Sequence, residues 1–253
     1  MRHKILISIF IVIFFLWVFL LLDQREEGAP REEIQSSTGG LELPALSDAS
    51  YQWIGSRIYQ NEARGEEDLL TYWGAGEDFP SLGIGHFIWF PEGVDAPFDE
   101  QFPAMVSYVL QHASQDLELP VWMQGLDPFT APWTSKEQFD EQWDSPETTT
   151  LREWLSATKQ HQARFIVSTF EKRWGELELP DGQKQGLTDL LRRLVETPEG
   201  LFALIDYYNF KGLGDNPRER YQGEGWGLVQ VLEQISYSAG GAEECVDMVG
   251  LFR

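Results

Sequence analysis

The residues of this chain best suited to acid–base chemistry lie within residues 54–90. Glu62 ends a run of apolar residues at helical spacing, and an acidic segment containing glycine follows it. A compact Ser-Leu-Gly-Ile-Gly-His sequence then occupies residues 81–86. A glutamate at a helix end, opposite a glycine-rich hairpin, can present a carboxylic acid to a cleft. Partial burial would keep that acid protonated near neutral pH, so that it can protonate the leaving oxygen of a glycosidic bond.

Glycoside cleavage usually needs a second acidic group across the sugar from the proton donor. In inverting enzymes this group activates water and lies ~6.5–9.5 Å from the acid. Glu77 and Asp78 precede the hairpin sequence and are the candidates for this role, and the hydroxyl of Ser81 is a candidate for positioning the water. The sequence leaves the choice between Glu77 and Asp78 open.

Glu62 and residues 81–86 together resemble the glutamate and T-x-G-x-G-H signature of phage-type lysozymes and endolysins. The resemblance covers residues 54–90 and implies a fold of the lysozyme-like superfamily. It also implies that Glu62 is the general acid and that Ser81 takes the place of the threonine that holds water. His86 matches the histidine of the motif, which supports the surroundings of the glutamate.

The hairpin aspartate of that family does not transfer, because Ala75 occupies the matching position. Glu77 and Asp78 lie close by and are the possible replacements. If neither reaches the cleft, Glu62 alone can serve as acid and then base, as in lytic transglycosylases, and the product is an anhydro sugar. A further alternative is a non-catalytic module that binds glycan or an envelope protein through the same cleft.

Other polar and aromatic residues are candidates for contacting a substrate. Polysaccharide grooves combine aromatic faces with hydrogen-bonding side chains, because sugars offer C–H faces and hydroxyl edges. The candidate substrate contacts are Trp73, His86, Tyr221, Trp226 and Gln230. The Gly-Leu-Val-Gln sequence at residues 227–230 faintly resembles the G-L-M-Q segment of lytic transglycosylases. A glycine-rich helix start packed on the core explains Trp226 equally well.

Composition argues against several other classes of function. The formal net charge of −22 repels nucleic-acid phosphates. Cys245 is the only cysteine in the sequence, which excludes an intrachain disulfide and a cysteine-based metal site. The four histidines lack metal-binding spacing, and no P-loop or nucleophile elbow occurs. We therefore predict no metal, no cofactor and no nucleic-acid partner.

The beginning of the chain predicts attachment to a membrane. Residues 5–22 are uncharged and almost entirely apolar, and a helix of this length approaches the thickness of a bilayer. Basic residues precede the run and acidic residues follow it, which places the start of the chain in the cytoplasm. We predict a signal-anchor transmembrane helix over residues 1–22 in the inner (cytoplasmic) membrane, rather than a cleaved signal peptide. A flexible linker over residues 23–46 follows.

The remaining chain has mainly helical periodicity. Ser47 is a predicted N-cap for a helix that ends near Glu62. Alternation of Leu82, Ile84 and Ile88, with Phe87 and Trp89 on the other parity, predicts a short hairpin or small sheet. Helical spacing and capping signals, including an N-cap at Ser135 and a proline after Thr197, predict helices over residues 100–114, 135–143, 148–174, 182–196, 198–209 and 226–237.

These patterns predict a mainly α (α+β) fold after the transmembrane helix. Residues 47–253 are expected to form a lysozyme-like helical domain with a small β-hairpin or sheet. The expected function is a lysozyme-like muramidase, a glycoside hydrolase that cleaves the β-1,4 glycan strands of peptidoglycan in the periplasm or at the cell exterior. The expected partners are those glycan strands and, through the N-terminal helix, the membrane.

Overall fold

The computed structural model describes residues 41–238 except residues 42, 115–116, 221–222 and 224. The predicted transmembrane helix and most of the predicted linker lie outside the described residues. Among the helices that are described, none is both long and apolar enough to cross a membrane. This part of the chain is mainly helical and contains a small antiparallel sheet, which confirms the predicted α+β class.

Nine α-helices and three two-residue strands are present in the described residues. The helices are α1 (Asp48–Ala63), α2 (Phe102–His112), α3 (Val121–Gln124), α4 (Lys136–Glu141), α5 (Pro146–Ala157), α6 (Lys159–Glu176), α7 (Asp181–Leu194), α8 (Pro198–Lys211) and α9 (Leu228–Ser238). The strands are β1 (Thr71–Tyr72), β2 (Ser81–Leu82) and β3 (Phe87–Ile88), and a 3-10 helix (Glu67–Leu70) leads directly into β1.

The chain divides into two compact units, and the boundary falls within α6. The first unit, residues 46–170, contains the sheet, and its fully buried side chains include Ile54, Ile58, Leu82, Trp89, Phe102, Trp133, Phe139 and Phe170. Of the described chain, the second unit contains residues 171–238 and the few residues before 46, and its core includes Trp174, Leu187, Leu191, Leu201, Ile205, Leu228 and Leu232. The predicted domain over residues 47–253 therefore holds two such units, and its lysozyme-like character stays a prediction.

The predicted helix caps are present. The hydroxyl of Ser47 accepts a hydrogen bond from the N–H of Ser50 at the start of α1. Ser135 caps α4 in the same way, and Thr197 caps α8 with a proline directly behind it. Each cap satisfies an amide that the first helical turn leaves without an intrahelical partner. The sequence therefore located these helix starts correctly.

One predicted helix is wrong, because residues 148–174 do not form a single helix. The chain breaks at Thr158 between α5 and α6. The hydroxyl of Thr158 donates to the carbonyl of Trp154, and the amide group of Gln162 donates to the carbonyl of Leu155. These side-chain bonds satisfy carbonyls at the end of α5 and allow the helix to stop there.

The sheet is a three-stranded antiparallel meander in the order β1, β2, β3. Leu82 pairs with Thr71 on one side and with Phe87 on the other, and all three side chains are buried. Alternation along the sequence had placed Leu82 and Phe87 on opposite faces of the predicted sheet. The four-residue turn at residues 83–86 instead brings both to the same face. We call this the core face of the sheet.

Candidate active site

The opposite face of the sheet, which we call the outer face, carries the row formed by Tyr72, Ser81 and Ile88. Ser81 pairs with Tyr72 in β1 and with Ile88 in β3, so the three side chains share a face. Tyr72 is 45% exposed, whereas Ser81 is buried between its neighbours. The outer face is therefore the side of the hairpin on which a ligand can meet the sheet.

Helix α1 delivers Glu62 to this region. Ile54 and Ile58 anchor the helix in the core, and Glu62 lies one residue before its end at Ala63. Arg64 adopts a left-handed conformation that stops the helix. The side chain of Glu62 is only 17% exposed. Burial raises the pKa of this carboxyl group, because its charged form loses water.

His86 joins the hairpin to Glu62. Its Nδ1 atom lies 3.8 Å from Oε2 of Glu62. The imidazole also stacks on the ring of Tyr72, with centroids 6.0 Å apart and an interplanar angle of 13°. Burial lowers the pKa of His86, and its Nε2 atom is buried without a hydrogen-bond partner among the described residues. Burial therefore shifts both the imidazole and the adjacent carboxyl group towards their neutral forms.

His86, in the turn at residues 83–86, has a backbone conformation that is unusual for a residue with a side chain. His86 has a φ of 47°, in the left-handed region that disfavours residues other than glycine. The hydrogen bond from the N–H of His86 to the carbonyl of Gly83, at 3.3 Å, closes the turn. Backbone strain of this kind is concentrated at functional sites, where surrounding contacts hold it in place.

Gln162 on α6 holds this turn from the core side. Its Oε1 atom accepts a hydrogen bond of 2.9 Å from the N–H of Ile84, and its Nε2 atom donates to the carbonyl of Leu155 at 2.7 Å. Gly83 has a φ of 75°, and a Cβ atom there would collide with Oε1 of Gln162. Gln162 was not predictable from the sequence, because it lies 78 residues from Ile84 and no local pattern connects them.

The two candidates for the second carboxylate differ in their surroundings. Both Glu77 and Asp78 are exposed. Oε2 of Glu77 accepts a hydrogen bond of 3.1 Å from the N–H of Gly74, and the carbonyl of Glu77 accepts one of 2.7 Å from the indole of Trp73. Glu77 is thus held in one orientation by its own loop.

The Glu77 carboxylate lies against the backbone just after β1, which ends at Tyr72. A Cβ atom on Gly74 would collide with this carboxylate. The carboxylate therefore occupies the place that a side chain at residue 74 would take, two residues after the exposed Tyr72.

Trp73 does not lie on the outer face. Its ring is 3% exposed and packs against Phe139, with centroids 5.8 Å apart. We therefore do not retain Trp73 as a substrate contact in this conformation. The neighbouring Tyr72 has the exposure that this role needs. Tyr72 was not among the predicted substrate contacts, although the alternation of the strand contained the signal.

The late candidates belong to the second unit. Gln230 accepts a hydrogen bond of 2.7 Å from the N–H of Gly227 and donates to the carbonyl of Gly214 at 3.4 Å. Gly225 and Gly227, on either side of Trp226, pack so closely on Gly214 that neither has room for a Cβ atom. These contacts favour a structural reason for the glycines around Trp226.

The substrate-binding roles of Trp226 and Gln230 stay predictions. Trp226 is partly exposed in the second unit. Tyr221, the remaining late candidate, lies outside the described residues.

No three His, Cys, Asp or Glu side chains within the described ranges come together in a way that could hold a metal ion. Comparisons of the chain with models of protein families, with curated proteins and with solved structures found no match. The functional interpretation therefore depends on the geometry of the chain itself.

Proposed function

We propose that this chain is a lysozyme-like glycosidase that cleaves the β-1,4 glycan of peptidoglycan, with Glu62 as the proton donor. The observation that carries the proposal is the setting of Glu62. Its carboxyl group is mostly buried, its pKa is raised, and it lies beside His86 at the edge of the outer face. A general acid in glycoside cleavage needs these properties, because it must hold a proton near neutral pH.

The outer face supplies groups for the rest of the reaction. Glu62 donates its proton to the glycosidic oxygen, and the bond between that oxygen and C1 breaks with its electron pair leaving on the oxygen. Water attacks the positively charged C1 and loses a proton to the second carboxylate. Glu77 is our choice for that carboxylate, because the N–H of Gly74 holds it in one orientation two residues after the exposed Tyr72. In this proposal the hydroxyl of Ser81, in the central strand of this face, holds the water.

A lytic transglycosylase is the second candidate. The bond between Glu77 and the backbone of Gly74 favours this alternative, because it gives Glu77 a structural role that does not require catalysis. Glu62 would then take back a proton from a hydroxyl of the sugar itself, which attacks C1 and closes an anhydro ring. The third candidate is a non-catalytic module that binds glycan or an envelope protein through the outer face without cleaving it.

The predicted signal-anchor helix over residues 1–22 would hold this site at the outer side of the cytoplasmic membrane. The acidic composition fits a tethered enzyme that acts locally, since a net charge of −22 does not favour capture by an anionic polymer. We therefore propose action in the periplasm or at the cell exterior, close to the membrane.

The test uses the full-length protein in detergent, purified peptidoglycan and the Glu62→Gln variant. Glu66→Gln is the matched control, since Glu66 is exposed and lies just beyond the same helix end. We expect Glu62→Gln to lose cleavage by about 100- to 10,000-fold and Glu66→Gln to retain it. Cleavage that survives Glu62→Gln overturns the proposal.

Mass spectrometry of the released fragments separates the alternatives. Products with a reducing end support hydrolysis, whereas anhydro products, lighter by one water, support a transglycosylase. Binding of glycan by the wild-type protein without any release of fragments supports the binding module.

A further inference from the structure

Two large side chains on the first unit are exposed close to the outer face of the sheet. Tyr72 in β1 is 45% exposed and Phe98, in the segment between β3 and α2, is 41% exposed. Tyr72 stacks on His86, which in turn lies beside Glu62. Phe98 belongs to a different part of the chain and is connected to this face by contacts with the residues that follow the strands.

The pairing of β2 and β3 continues beyond the strands themselves. The N–H of Trp89 donates to the carbonyl of Pro80 at 3.1 Å, which keeps the antiparallel register and sets Phe79 opposite Phe90. The rings of Phe79 and Phe90 are in contact, with centroids 5.3 Å apart. Both follow the row of Tyr72, Ser81 and Ile88 at an interval of two residues, so they form the next row of the outer face.

Phe98 packs on this second row. Its ring centroid lies 5.6 Å from that of Phe79, in an edge-to-face arrangement. The outer face therefore has an exposed aromatic ring at two places. Tyr72 lies next to the proposed acid, and Phe98 lies beyond Ser81 in the direction away from the turn that carries His86.

The segment that carries Phe98 is attached to β3 at two points. The N–H of Phe90 donates to a carboxylate oxygen of Glu100 at 2.7 Å, and the N–H of Gln101 donates to the carbonyl of Ile88 at 3.1 Å. These bonds hold the loop against the sheet on the C-terminal side of Phe98. The exposed ring is thus presented by an ordered backbone, which reduces the entropy that a ligand would have to remove.

We propose that Tyr72 and Phe98 are stacking platforms for two separate sugar rings of one glycan strand that crosses the outer face. This inference rests on the proposed function and extends it, because it fixes the path of the strand and a minimum length for the substrate. Ser81 pairs with Tyr72 and lies next to the second row, so its hydroxyl is a polar group between the two aromatic rings. Alternating apolar and polar groups match a sugar chain, whose rings offer C–H faces and whose edges offer hydroxyls.

The experiment measures binding by full-length protein that carries Glu62→Gln, so that the glycan is held but not cut. Peptidoglycan oligosaccharides of increasing length are titrated calorimetrically in detergent. In this background, Phe98→Leu keeps an apolar side chain but removes the aromatic face. We expect it to weaken binding of long strands by roughly threefold to tenfold and to leave the shortest bound oligosaccharide unaffected. Tyr72→Leu should weaken binding at every length.

The matched control is Phe210→Leu, which alters an aromatic residue that is 61% exposed in the second unit. Phe98→Trp is the conservative variant and should bind long strands at least as tightly as the parent. Equal binding of long strands by the Phe98→Leu and Phe210→Leu proteins overturns the proposal for Phe98. A loss that is the same at all lengths also contradicts it, since Phe98 would then not contact a separate sugar ring that only longer strands reach.

The failure of this inference is distinguishable from the failure of the proposed function. If Glu62→Gln abolishes cleavage while Phe98→Leu changes neither binding nor the preferred length, the strand takes another path and only the platform is wrong. If wild-type protein neither binds nor cuts the glycan at any length, both the function and the platform are wrong.

Discussion

The Nδ1 atom of His86 lies 3.8 Å from Oε2 of Glu62, and burial changes the pKa of the two groups in opposite directions. The pKa of Glu62 rises and that of His86 falls, because water would stabilise the charged form of each. Burial thus shifts both groups towards their neutral forms. The neutral form of Glu62 is the one that holds the proton that glycoside cleavage requires.

The first prediction is a pH profile for cleavage. The rate constant kcat/KM should fall as pH rises through the raised pKa of Glu62, since the acid is then deprotonated. It should also fall at low pH, where protonated His86 would stabilise the Glu62 carboxylate and weaken it as a donor. The measurement is kcat/KM against pH for wild-type protein and for His86→Gln. The variant should keep the alkaline limb and lose the part of the acidic limb that His86 causes. An alkaline limb that stays in place when Glu62 is replaced would contradict this assignment.

The second prediction concerns stability and needs no substrate. The folded state raises the pKa of Glu62, so folding favours its protonated form. Its contribution to the free energy of unfolding is complete below the unfolded pKa and is lost as pH rises through the folded pKa. Glu62→Gln removes the buried charge and should therefore be more stable than wild type at neutral pH. The two proteins should differ little at low pH.

Urea unfolding at several pH values measures this effect. Glu66→Gln serves again as control, because Glu66 is exposed. A difference between Glu62→Gln and wild type that does not grow with pH would mean that the carboxyl group is solvated in the folded protein, and the basis for a proton donor would be lost.

The sequence predicted the features that depend on local interactions and did not predict those that depend on contacts between distant residues. Glu62 at a helix end and the hairpin after it were predictable, because capping, helical spacing and glycine punctuation are local signals. The core position of Phe87 was not predictable from parity, since the turn at residues 83–86 changes which residues face the core. The support from Gln162 was missed because the contact joins distant parts of the chain. Local patterns thus located the candidate acid, whereas its positioning depended on tertiary contacts.

The third prediction decides between the two candidates for the second carboxylate. Glu77→Gln keeps an oxygen that can accept the hydrogen bond from Gly74 but removes the charge. If Glu77 activates water, this variant should lose activity by about 100-fold or more, with little change in stability. Asp78→Asn is the matched control, because Asp78 is the exposed neighbour. Kinetics on peptidoglycan and urea unfolding measure both properties.

The opposite result, with full activity in Glu77→Gln and loss in Asp78→Asn, would transfer the role to Asp78. Full activity in both variants, together with anhydro products, would favour the transglycosylase in which Glu62 acts alone.

The last prediction tests whether Gln162 positions the turn that carries His86. Gln162→Leu leaves the N–H of Ile84 without its partner inside the core and removes one of the donors to the carbonyl of Leu155, which the hydroxyl of Thr158 still contacts. An unsatisfied buried group costs about 1–3 kcal/mol, so the variant should be destabilised by about that amount. Gln162→Glu is not a neutral replacement either. Its carboxylate can still accept from Ile84 but cannot donate to Leu155, and it brings a charge into the core.

Hydrogen exchange at the Ile84 amide separates this local role from general loss of stability. In Gln162→Leu, the amide should exchange faster relative to amides of α2, and kcat should fall while KM changes little. Gln160→Leu, two residues earlier on the exposed side of α6, should leave both unchanged. If Gln162→Leu lowers stability but keeps wild-type kcat under conditions where it is folded, the turn does not depend on Gln162 for its catalytic geometry.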